Sequence, residues 1–270
     1  MNGCLRNAAH CGIIFRDSCV KLKGMNELLE LKNVTKKYLR RTALDGVSLS
    51  VETGKTCLLL GPNGSGKTTT MKLIAGLSRP TSGEVLFDGS SIGAATKAHI
   101  AYMPTENYFY NYMKIKDIGR YYADFFTDFD PREFERQLVA MELDREDNIR
   151  QLSSGMAAKL RLALALSRDA KLMMFDEPLN GVDIVTRAQT IDAILAGRRE
   201  GRTMLISTHL VDELEDVVDY TVFLKKGKLV MAGDKREICA GRTLKELYLE
   251  VYGHASAEGA TTGEEASDRA

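Results

Sequence analysis

The sequence predicts an α/β fold in which most strands of one sheet run parallel. Short apolar runs bounded by turn residues recur along the 270 residues, and segments with helical periodicity lie between them. A strand, a helix and a second strand in succession are typical of parallel strands covered by helices on both faces. One apolar run also ends in a glycine-rich turn that leads directly into a helix, which is typical of folds that bind phosphate groups.

The predicted elements follow this alternation through most of the chain. The strands are short and either apolar or alternating, and they are expected at residues 28–34, 47–51, 56–60, 84–87, 100–103, 172–175, 204–207 and 221–224. The helices have apolar residues at three- and four-residue spacing, and they are expected at residues 68–77, 116–126, 131–141, 157–167, 184–196 and 211–218.

Two regions depart from this alternation. The amino-terminal strands lie close together in the sequence, which predicts hairpins and a small antiparallel β subdomain. Residues 117–150 contain consecutive helices with no strand between them, so we expect an inserted helical subdomain at about residues 105–168. The whole domain is predicted to extend over residues 25–253.

Both ends of the chain are expected to lie outside this domain. The first strand pattern begins directly after Met25, so we interpret residues 1–24 as an extension and Met25 as the biological start. Three of the five cysteines lie in this extension at spacings unlike those of zinc sites, so no metal site is expected there. Residues 254–270 lack large apolar side chains and are predicted to be disordered.

Composition restricts the partners of the chain. The 37 basic residues balance the 37 acidic ones, so no overall electric field attracts nucleic acid or anionic lipid, and no nucleic-acid partner is expected. No apolar run approaches the roughly 20 residues that span a bilayer. The start of the chain also lacks the long apolar core of a secretory signal. We therefore expect the protein to be cytoplasmic.

A glycine-rich segment follows the third predicted strand. Its sequence, GPNGSGKTT, fits the pattern G-x-x-x-x-G-K-[ST]. Glycines let backbone N–H groups converge on phosphate oxygens, and the helix N-terminus adds its dipole. Lys67 is expected to reach the outer phosphates, and the Thr68 hydroxyl to bind Mg²⁺. The sequence therefore predicts a nucleotide site formed by Gly61, Pro62, Asn63, Gly64, Ser65, Gly66, Lys67, Thr68 and Thr69.

Two further strands end in residues that carry chemistry. In KLMMFDEP, four apolar residues precede Asp176 and Glu177, which is typical of a strand that delivers carboxylates to the edge of a parallel sheet. Asp176 is expected to hold Mg²⁺ through a water molecule, and Glu177 to polarise the attacking water. His209 follows the strand in LISTHL. A single histidine there is more often a capping or packing residue, but the neighbouring phosphate site favours a functional role.

The segment QLSSGMAAKLRL lies between the glycine-rich loop and the acidic pair. Taken alone, it predicts a helix start with Ser153 or Ser154 as the N-cap. With the other motifs in order around it, LSSGM at residues 152–156 resembles the LSGGQ signature of the ATP-binding cassette (ABC) ATPases. The resemblance extends from residue 28 to residue 251 and implies a P-loop ATPase that uses ATP and Mg²⁺.

The resemblance also implies a mechanism. Two such domains pack head to tail, so that ATP held by the glycine-rich loop of one is capped by the signature of the other. Ser153 and Gly155 would then contact the γ-phosphate of that ATP through a hydroxyl and a backbone N–H. Tyr38 matches the aromatic residue that stacks on adenine, Asp183 matches the loop that crosses the dimer interface, and His209 matches the histidine that contacts the γ-phosphate.

Three positions depart from the family pattern. Ser154 replaces the first of the paired signature glycines, and Met156 replaces a glutamine whose side chain both donates and accepts hydrogen bonds. Thr105, in YMPTEN, stands where the family usually has glutamine. Its hydroxyl can still bind a metal-bound water, so the expected metal-site residues are Thr68, Asp176 and Thr105.

We interpret the chain as the ATP-hydrolysing subunit of a transporter, with Glu177, His209 and Lys67 as the catalytic residues. It contains one cassette, no membrane segment and a helical insert suited to docking on a separate transmembrane permease subunit. LNGVD and the compact insert resemble bacterial exporter-type cassettes. We expect two identical copies, peripheral on the cytoplasmic face of the cell membrane, because the glycine-rich loop, the signature and Glu177 are all present.

Two other functions were weighed against this interpretation. A soluble ABC ATPase that acts on nucleic acid or the ribosome is the alternative, but such proteins usually have paired cassettes, long coiled coils or basic extensions. A P-loop GTPase or small-molecule kinase is disfavoured because no N-K-x-D motif occurs and LSSGM would be unexplained.

Overall fold

The structure is a computed structural model that describes residues 27–253. The predictions for residues 1–24, for Met25 as the start and for the tail at residues 254–270 lie outside the described residues. The strands are β1 (Glu27–Tyr38), β2 (Arg41–Glu52), β3 (Thr56–Leu60), β4 (Ser82–Phe87), β5 (Ser90–Ser91), β6 (Ile100–Met103), β7 (Leu172–Asp176), β8 (Thr203–Thr208), β9 (Tyr220–Lys225) and β10 (Lys228–Asp234). The helices are α1 (Lys67–Ile74), α2 (Ala94–Lys97), α3 (Ile115–Phe125), α4 (Pro131–Ala140), α5 (Ser154–Leu166), α6 (Ile184–Ala196), α7 (Lys235–Cys239) and α8 (Leu244–Gly253).

The larger sheet has the strand order β10-β9-β3-β8-β7-β6. β9, β3, β8, β7 and β6 pair in parallel, and β10 pairs antiparallel with β9 at the edge. Every residue of β3, β7 and β8 is buried, because elements cover both faces of this sheet. The prediction of an α/β fold with a mostly parallel sheet is confirmed.

The smaller sheet is antiparallel and has the strand order β2-β1-β4-β5. β1 and β2 form a long hairpin whose last pair is Tyr38 and Arg41. This hairpin extends well beyond the predicted strands. In β1, less buried residues separate the buried Leu29, Leu31 and Val34, and the residues that follow Val34 are mostly polar, so the apolar pattern marks only part of the strand. The predicted antiparallel sheet is confirmed.

Alternate residues of β3 separate two hydrophobic cores. Leu58 and Leu60 belong to the core beneath α5, whereas Cys57 and Leu59 belong to the core beneath α1 and the antiparallel sheet. All four side chains have an exposed fraction of 1% or less. Burying one leucine of this kind contributes about 2 kcal/mol, so β3 is held firmly from both faces. The loop that follows β3 therefore starts from a rigid strand.

A helical region of α3, α4 and α5 lies between β6 and β7 with no strand among the helices. Arg168 joins this region to the larger sheet: its Nε lies 2.6 Å from Oδ1 of Asp128, and its Nη2 donates to the carbonyl oxygen of Ala98 at 2.9 Å. The guanidinium also lies 3.8 Å from the centre of the Phe126 ring. The boundaries of a separate helical subdomain stay a prediction.

One predicted helix is wrong. Residues 211–218 form only a short 3₁₀ turn at Glu215–Val217. The acidic side chains of this segment bind other elements instead: Asp212 pairs with Lys245, and Glu213 with Arg187. Such tertiary contacts outweigh a modest helix propensity.

Several elements near the carboxyl end were not predicted, namely β10, α7 and α8. Their sequences mix charged and apolar residues without a clean period, so the pattern gave no signal. Between residues 27 and 253, no helix combines the length with the apolar character that a membrane crossing requires.

Candidate active site

Four parallel strands end at one edge of the larger sheet. β3 leads into the phosphate-binding loop, which we define as residues 61–67, and β7 ends at Asp176. β8 is followed directly by His209, and β6 is followed by a short turn that contains Thr105. Because the carboxyl ends of parallel strands meet at the same edge, the chain topology brings these residues together.

The phosphate-binding loop requires glycine for reasons within the chain. A Cβ atom on Gly61 would lie 2.4 Å from the carbonyl oxygen of Leu224 and 2.4 Å from Oγ of Ser65. Gly66, the N-cap of α1, has a φ of 115°, and its Cβ would lie 3.0 Å from the carbonyl oxygen of Ala43. The loop then opens α1, whose first N–H groups have no acceptors within the helix. This arrangement suits a phosphate group.

Lys67 is folded back over its own loop and is almost completely buried. Its Nζ donates to the carbonyl oxygen of Gly61 at 2.6 Å and lies 3.0 Å from Oε1 of Glu177. The exposed fraction of the lysine is 5%. A buried ammonium group of this kind needs an anionic partner, and here Glu177 supplies it.

Asp176 is fully buried and accepts hydrogen bonds on both carboxylate oxygens. Ser207 Oγ donates to Oδ1 at 2.6 Å, and Thr68 Oγ1 donates to the same oxygen at 3.2 Å. The Tyr102 hydroxyl donates to Oδ2 at 3.2 Å. Thr105 reaches the same residue from β6, because its Oγ1 donates to the backbone carbonyl of Asp176 at 3.0 Å. The side chain of Asp176 is thus fixed in one orientation.

The oxygen atoms around Asp176 suit Mg²⁺. The carboxylate of Asp176 and the hydroxyl of Thr68 are hard oxygen donors within 3.2 Å of each other. In the part of the chain that the structure describes, no cluster of three or more His, Cys, Asp and Glu side chains could hold a metal ion.

Glu177 connects Lys67 with His209. Its Oε2 lies 2.9 Å from Nδ1 of His209, while its Oε1 faces the lysine. The backbone of Glu177 has a φ of 50°, which is uncommon for a residue with a side chain, and its N–H donates to the carbonyl oxygen of Ser207 at 3.0 Å. Strained backbone of this kind is concentrated at functional sites. The three side chains form one chain of charged and polar groups beside the phosphate-binding loop.

Tyr38 lies at the end of β1, next to the same loop. Its ring is 45% exposed, and Lys36 Nζ lies 4.8 Å from the ring centre. Arg41, its partner across the hairpin, donates from Nη2 to the carbonyl oxygen of Gly64 at 3.1 Å. An exposed aromatic face therefore stands beside the phosphate-binding loop, where a flat apolar group could stack on it.

The signature segment begins α5. Of the two candidate N-caps, the structure selects Ser153, whose Oγ accepts from the backbone N–H of Met156 at 3.2 Å. Ser154 is the first residue of the helix. Beside this helix start lies a groove of about 420 Å³, which we name the signature groove. It is lined by Ser153, Ser154, Gly155, Met156, Lys159, Gly181, Val182, Asp183 and Thr186.

Asp183 caps the neighbouring helix, α6. Its Oδ1 accepts from the N–H groups of Val185 and Thr186, each at 3.0 Å, and Thr186 Oγ1 donates to its Oδ2 at 2.7 Å. These hydrogen bonds, led by the one from the Thr186 backbone, lower the pKa of Asp183. The Asp183 carboxylate thus stays ionised and fixed at one wall of the signature groove.

The sequence analysis missed Tyr102 and Ser207, the two hydroxyl groups that hold Asp176. Ser207 lies directly opposite Asp176 in the parallel register of β7 and β8, so aligning those two strands would have found it. Tyr102 lies on β6, which β7 and β8 separate from β3, and its hydroxyl gave no sequence signal. Burial raises the pKa of Tyr102, and the negative charge of Asp176 raises it further, so the hydroxyl remains a donor.

The sequence profile of the ABC transporter family matches residues 44–180, half of the chain. An uncharacterized ABC transporter ATP-binding protein of Synechocystis is 31% identical over 73% of this chain, which spans only 58% of that relative. The lantibiotic transport ATP-binding protein SrtF of Streptococcus pyogenes is 29% identical over 82% of this chain and 96% of its own length. A solved ATP-binding subunit of an ABC transporter superposes with a TM-score of 0.75 at 28% identity, over 83% of this chain and 99% of the solved chain.

These similarities agree with the geometry at the sheet edge. The profile covers the phosphate-binding loop, the signature segment and the acidic pair, and the similar solved structure extends over nearly all the described elements. The relatives favour a transporter ATPase over a cassette that acts on nucleic acid or the ribosome. The chain therefore belongs to the ABC transporter family, as the part of a transporter that binds and hydrolyses ATP.

Proposed function

We propose that two identical copies of this chain, each at residues 25–253, pack head to tail and enclose two molecules of ATP. ATP hydrolysis then drives a separate membrane subunit that exports its substrate. The observation that carries this proposal is a difference between the N-termini of α1 and α5. The phosphate-binding loop is surrounded by buried partners from its own chain, whereas the helix start at Ser153 opens into the signature groove.

The phosphate-binding loop holds the nucleotide in this proposal. Backbone N–H groups at residues 63–69 surround the phosphates, and Tyr38 stacks on the adenine ring. Lys67 exchanges its contact with Glu177 for the outer phosphates, which offer more negative charge than one carboxylate. Thr68, Asp176 and Thr105 would hold Mg²⁺, which neutralises charge that develops on the phosphate oxygens.

Glu177 is the general base. Once Lys67 turns to the phosphates, the freed carboxylate can accept a proton from the attacking water. His209 keeps Glu177 in place through the 2.9 Å contact between Nδ1 and Oε2, and its Nε2 would face the γ-phosphate. Ser207 and Tyr102 fix Asp176 beside this pair, so little rearrangement is required when ATP arrives.

The signature groove completes the site of the other copy. Ser153 supplies a hydroxyl and Gly155 a backbone N–H at the positive end of α5, and both would face the γ-phosphate. Asp183 holds α6 against the same groove and lies at the interface between the copies. Met156 provides an apolar contact where the LSGGQ signature, which this segment resembles, has glutamine.

The membrane subunit is expected to dock on the helical region. Exposed aromatic side chains are concentrated in the segment after Thr105 and on α3, namely Tyr110, Tyr112, Tyr121 and Phe125. Such side chains are common in the buried parts of protein interfaces. SrtF is named for lantibiotic transport, which supports export by a bacterial system. The chain would then lie on the cytoplasmic face of the membrane.

Two substitutions test the catalytic assignment. Glu177→Gln preserves the shape but removes the base, so phosphate release should fall about 10²- to 10⁴-fold while ATP still binds. Lys67→Ala should instead weaken ATP binding itself, because the phosphates lose their cation. Glu106→Gln is the matched control, since Glu106 follows Thr105 but has no contact with Asp176 or Lys67 among the bonds of the described residues.

Phosphate release and fluorescent-nucleotide binding should be measured on the same preparations. Glu177→Gln with unchanged turnover would remove Glu177 from the mechanism. The membrane partner is tested separately, by purifying the chain from native membranes and identifying the accompanying polypeptides. Recovery of nucleic acid or ribosomes without a membrane protein would contradict the transport assignment.

A further inference from the structure

The last helix, α8, contacts the base of the phosphate-binding loop. The Tyr252 hydroxyl lies 2.9 Å from the carbonyl oxygen of Leu224 and 3.2 Å from that of Leu60. These two residues stand at the carboxyl ends of β9 and β3, and Leu60 directly precedes Gly61. A tyrosine hydroxyl has one hydrogen, so it is shared between the two carbonyl groups. Tyr252 thereby joins the two strands where the loop begins.

The same Leu224 oxygen also limits the path of the loop. A Cβ atom on Gly61 would lie only 2.4 Å from it, so the glycine backbone passes directly against this carbonyl group. The carbonyl oxygen of Gly61 in turn accepts from Lys67 Nζ at 2.6 Å. A shift of the Leu224 carbonyl would therefore displace Gly61, and with it the lysine. The hydroxyl of Tyr252 fixes the carbonyl against which the loop is packed.

The amino-terminal end of α8 is attached to a different part of the site. The backbone N–H of Leu244 donates to Glu215 Oε1 at 2.7 Å, and Lys245 Nζ lies 2.6 Å from Asp212 Oδ2. Both acidic residues belong to the segment that follows His209. One helix therefore contacts the base of the phosphate-binding loop at its carboxyl end and the segment after the histidine at its amino end.

The second half of α8 packs on β9 through aromatic rings. The Tyr248 ring lies 4.6 Å from the Tyr252 ring, and Tyr252 stacks on Phe223 of β9 at 6.1 Å. Burial raises the pKa of Tyr248, and the negative charge of Glu177 raises it further. Lys225 Nζ also donates to the carbonyl oxygen of Val251 at 3.0 Å, which attaches the end of α8 to β9.

We propose that α8 positions the phosphate-binding loop for nucleotide, and that Tyr252 is the positioning residue through which it acts. The inference rests on the proposed role of the loop and of Lys67. Tyr252 acts through the Leu60 and Leu224 carbonyl groups, which it holds so that Gly61 and Lys67 keep the geometry that binds phosphate. α8 lies outside residues 44–180, the part matched by the family profile.

Thermodynamic linkage gives this inference a second consequence. If α8 stabilises the conformation of the loop that binds nucleotide, then bound nucleotide must stabilise α8 by the same free energy. The amide hydrogens of α8 should then exchange more slowly when nucleotide is bound. The slowing in α8 should exceed that in α3 and α4 of the helical region, which report only the general stabilisation of the folded state by a bound ligand.

The test uses the full chain with Mg²⁺ and ADP, because ADP contacts the phosphate-binding loop and carries no γ-phosphate for the signature of a second copy. Tyr252→Phe removes the hydroxyl and keeps both ring contacts. Its affinity for ADP should fall about three- to tenfold, the usual effect of one lost hydrogen bond. Tyr122→Phe is the matched control: it also removes a partly buried hydroxyl, which is bonded to Tyr108 in the helical region.

The outcomes separate the two proposals. Weaker ADP binding in Tyr252→Phe, with wild-type affinity in Tyr122→Phe, supports the role of α8. Equal affinity in Tyr252→Phe and the wild type overturns it. If the wild type and Lys67→Ala bind ADP equally, the proposed function fails instead. Should Tyr252→Phe not fold, hydrogen exchange on the wild type decides, since α8 exchange that ADP slows no more than that of α3 and α4 contradicts the inference.

Discussion

The phosphate-binding loop and the signature differ in how much room their own chain leaves for a side chain in place of glycine. Gly61 has no room for a Cβ atom, because the Leu224 carbonyl oxygen would lie 2.4 Å away. Gly155, within the first turn of α5, has ordinary backbone angles, and its Cβ would meet nothing closer than Thr186 Oγ1 at 3.7 Å. The isolated chain therefore needs glycine at one position and tolerates alanine at the other.

This difference indicates what each loop is built for. The phosphate-binding loop is shaped by contacts within one chain, and its buried Lys67, Glu177 and Asp176 already have partners. The signature groove has a satisfied N-cap at Ser153 but remains open. A glycine that the fold does not require is explained by a close approach from outside the chain, which in our account is ATP held by a second copy.

The largest effect that would sharpen this comparison is expected from Gly61→Ala. The added methyl group collides with a backbone carbonyl group that cannot move without disturbing β9, so nucleotide binding should fall at least about 100-fold. The midpoint of thermal unfolding should fall as well. Binding of fluorescent ADP measures the first effect and calorimetry the second. Wild-type binding would show that the loop tolerates the collision.

Gly155→Ala should separate activity from stability. The methyl group fits within the chain and improves helix propensity, so the free energy of unfolding should stay the same or rise by up to about 1 kcal/mol. ATP hydrolysis should nevertheless fall about tenfold or more, because the methyl group occupies the space for the γ-phosphate. Denaturant unfolding and phosphate release together check the prediction. Full activity would remove the reason for glycine here.

Ser153→Ala should reduce both properties moderately. The hydroxyl caps α5 by accepting from the Met156 N–H, and losing a cap of this kind costs about 1 kcal/mol of stability. Hydrolysis should also fall, because the same hydroxyl is proposed to contact the γ-phosphate. Ser153→Thr is the matched control, since threonine keeps the hydroxyl. If threonine restores stability without activity, the hydroxyl acts only as a cap.

The smallest effect is expected from Met156→Gln. This substitution introduces the glutamine of the LSGGQ signature that the segment resembles, at a position that is only partly buried. The apparent KM for ATP should change by less than about threefold, because one exposed hydrogen bond contributes little net free energy. Steady-state kinetics at several ATP concentrations would measure it. A tenfold lower KM would mean that Met156 limits the contact with nucleotide.

The sequence could predict residues whose role follows from strand ends. Asp176, Glu177 and His209 each follow an apolar strand, and parallel strands must bring such ends together. Ser207 and Tyr102 lay beyond this reasoning, because their roles depend on which strands are neighbours and on register. The role of Tyr252 was missed for a related reason: its partners are the carbonyl groups of Leu60 and Leu224, and backbone acceptors leave no trace in a sequence.

At residues 211–218 the sequence predicts a helix that the structure does not contain. Their spacing favours a helix, but Lys245, Arg187 and the Leu244 N–H each bind one of its acidic side chains. Those contacts join residues far apart in the chain, and no local pattern contains them. The same contacts attach the segment after His209 to α8 and α6, so the wrongly predicted helix is a segment that directly follows a site residue.

Complementation between two inactive variants tests the central claim most directly. Lys67→Ala has a damaged phosphate-binding loop and an intact signature, whereas Gly155→Asp has an intact loop and a carboxylate that repels the γ-phosphate. Aspartate suits a helix N-terminus, so the second variant should fold. Each variant alone should lack ATP hydrolysis, but an equal mixture should hydrolyse ATP, since a mixed pair contains one intact site. Activity no higher than the sum of the separate variants would contradict a site shared between copies.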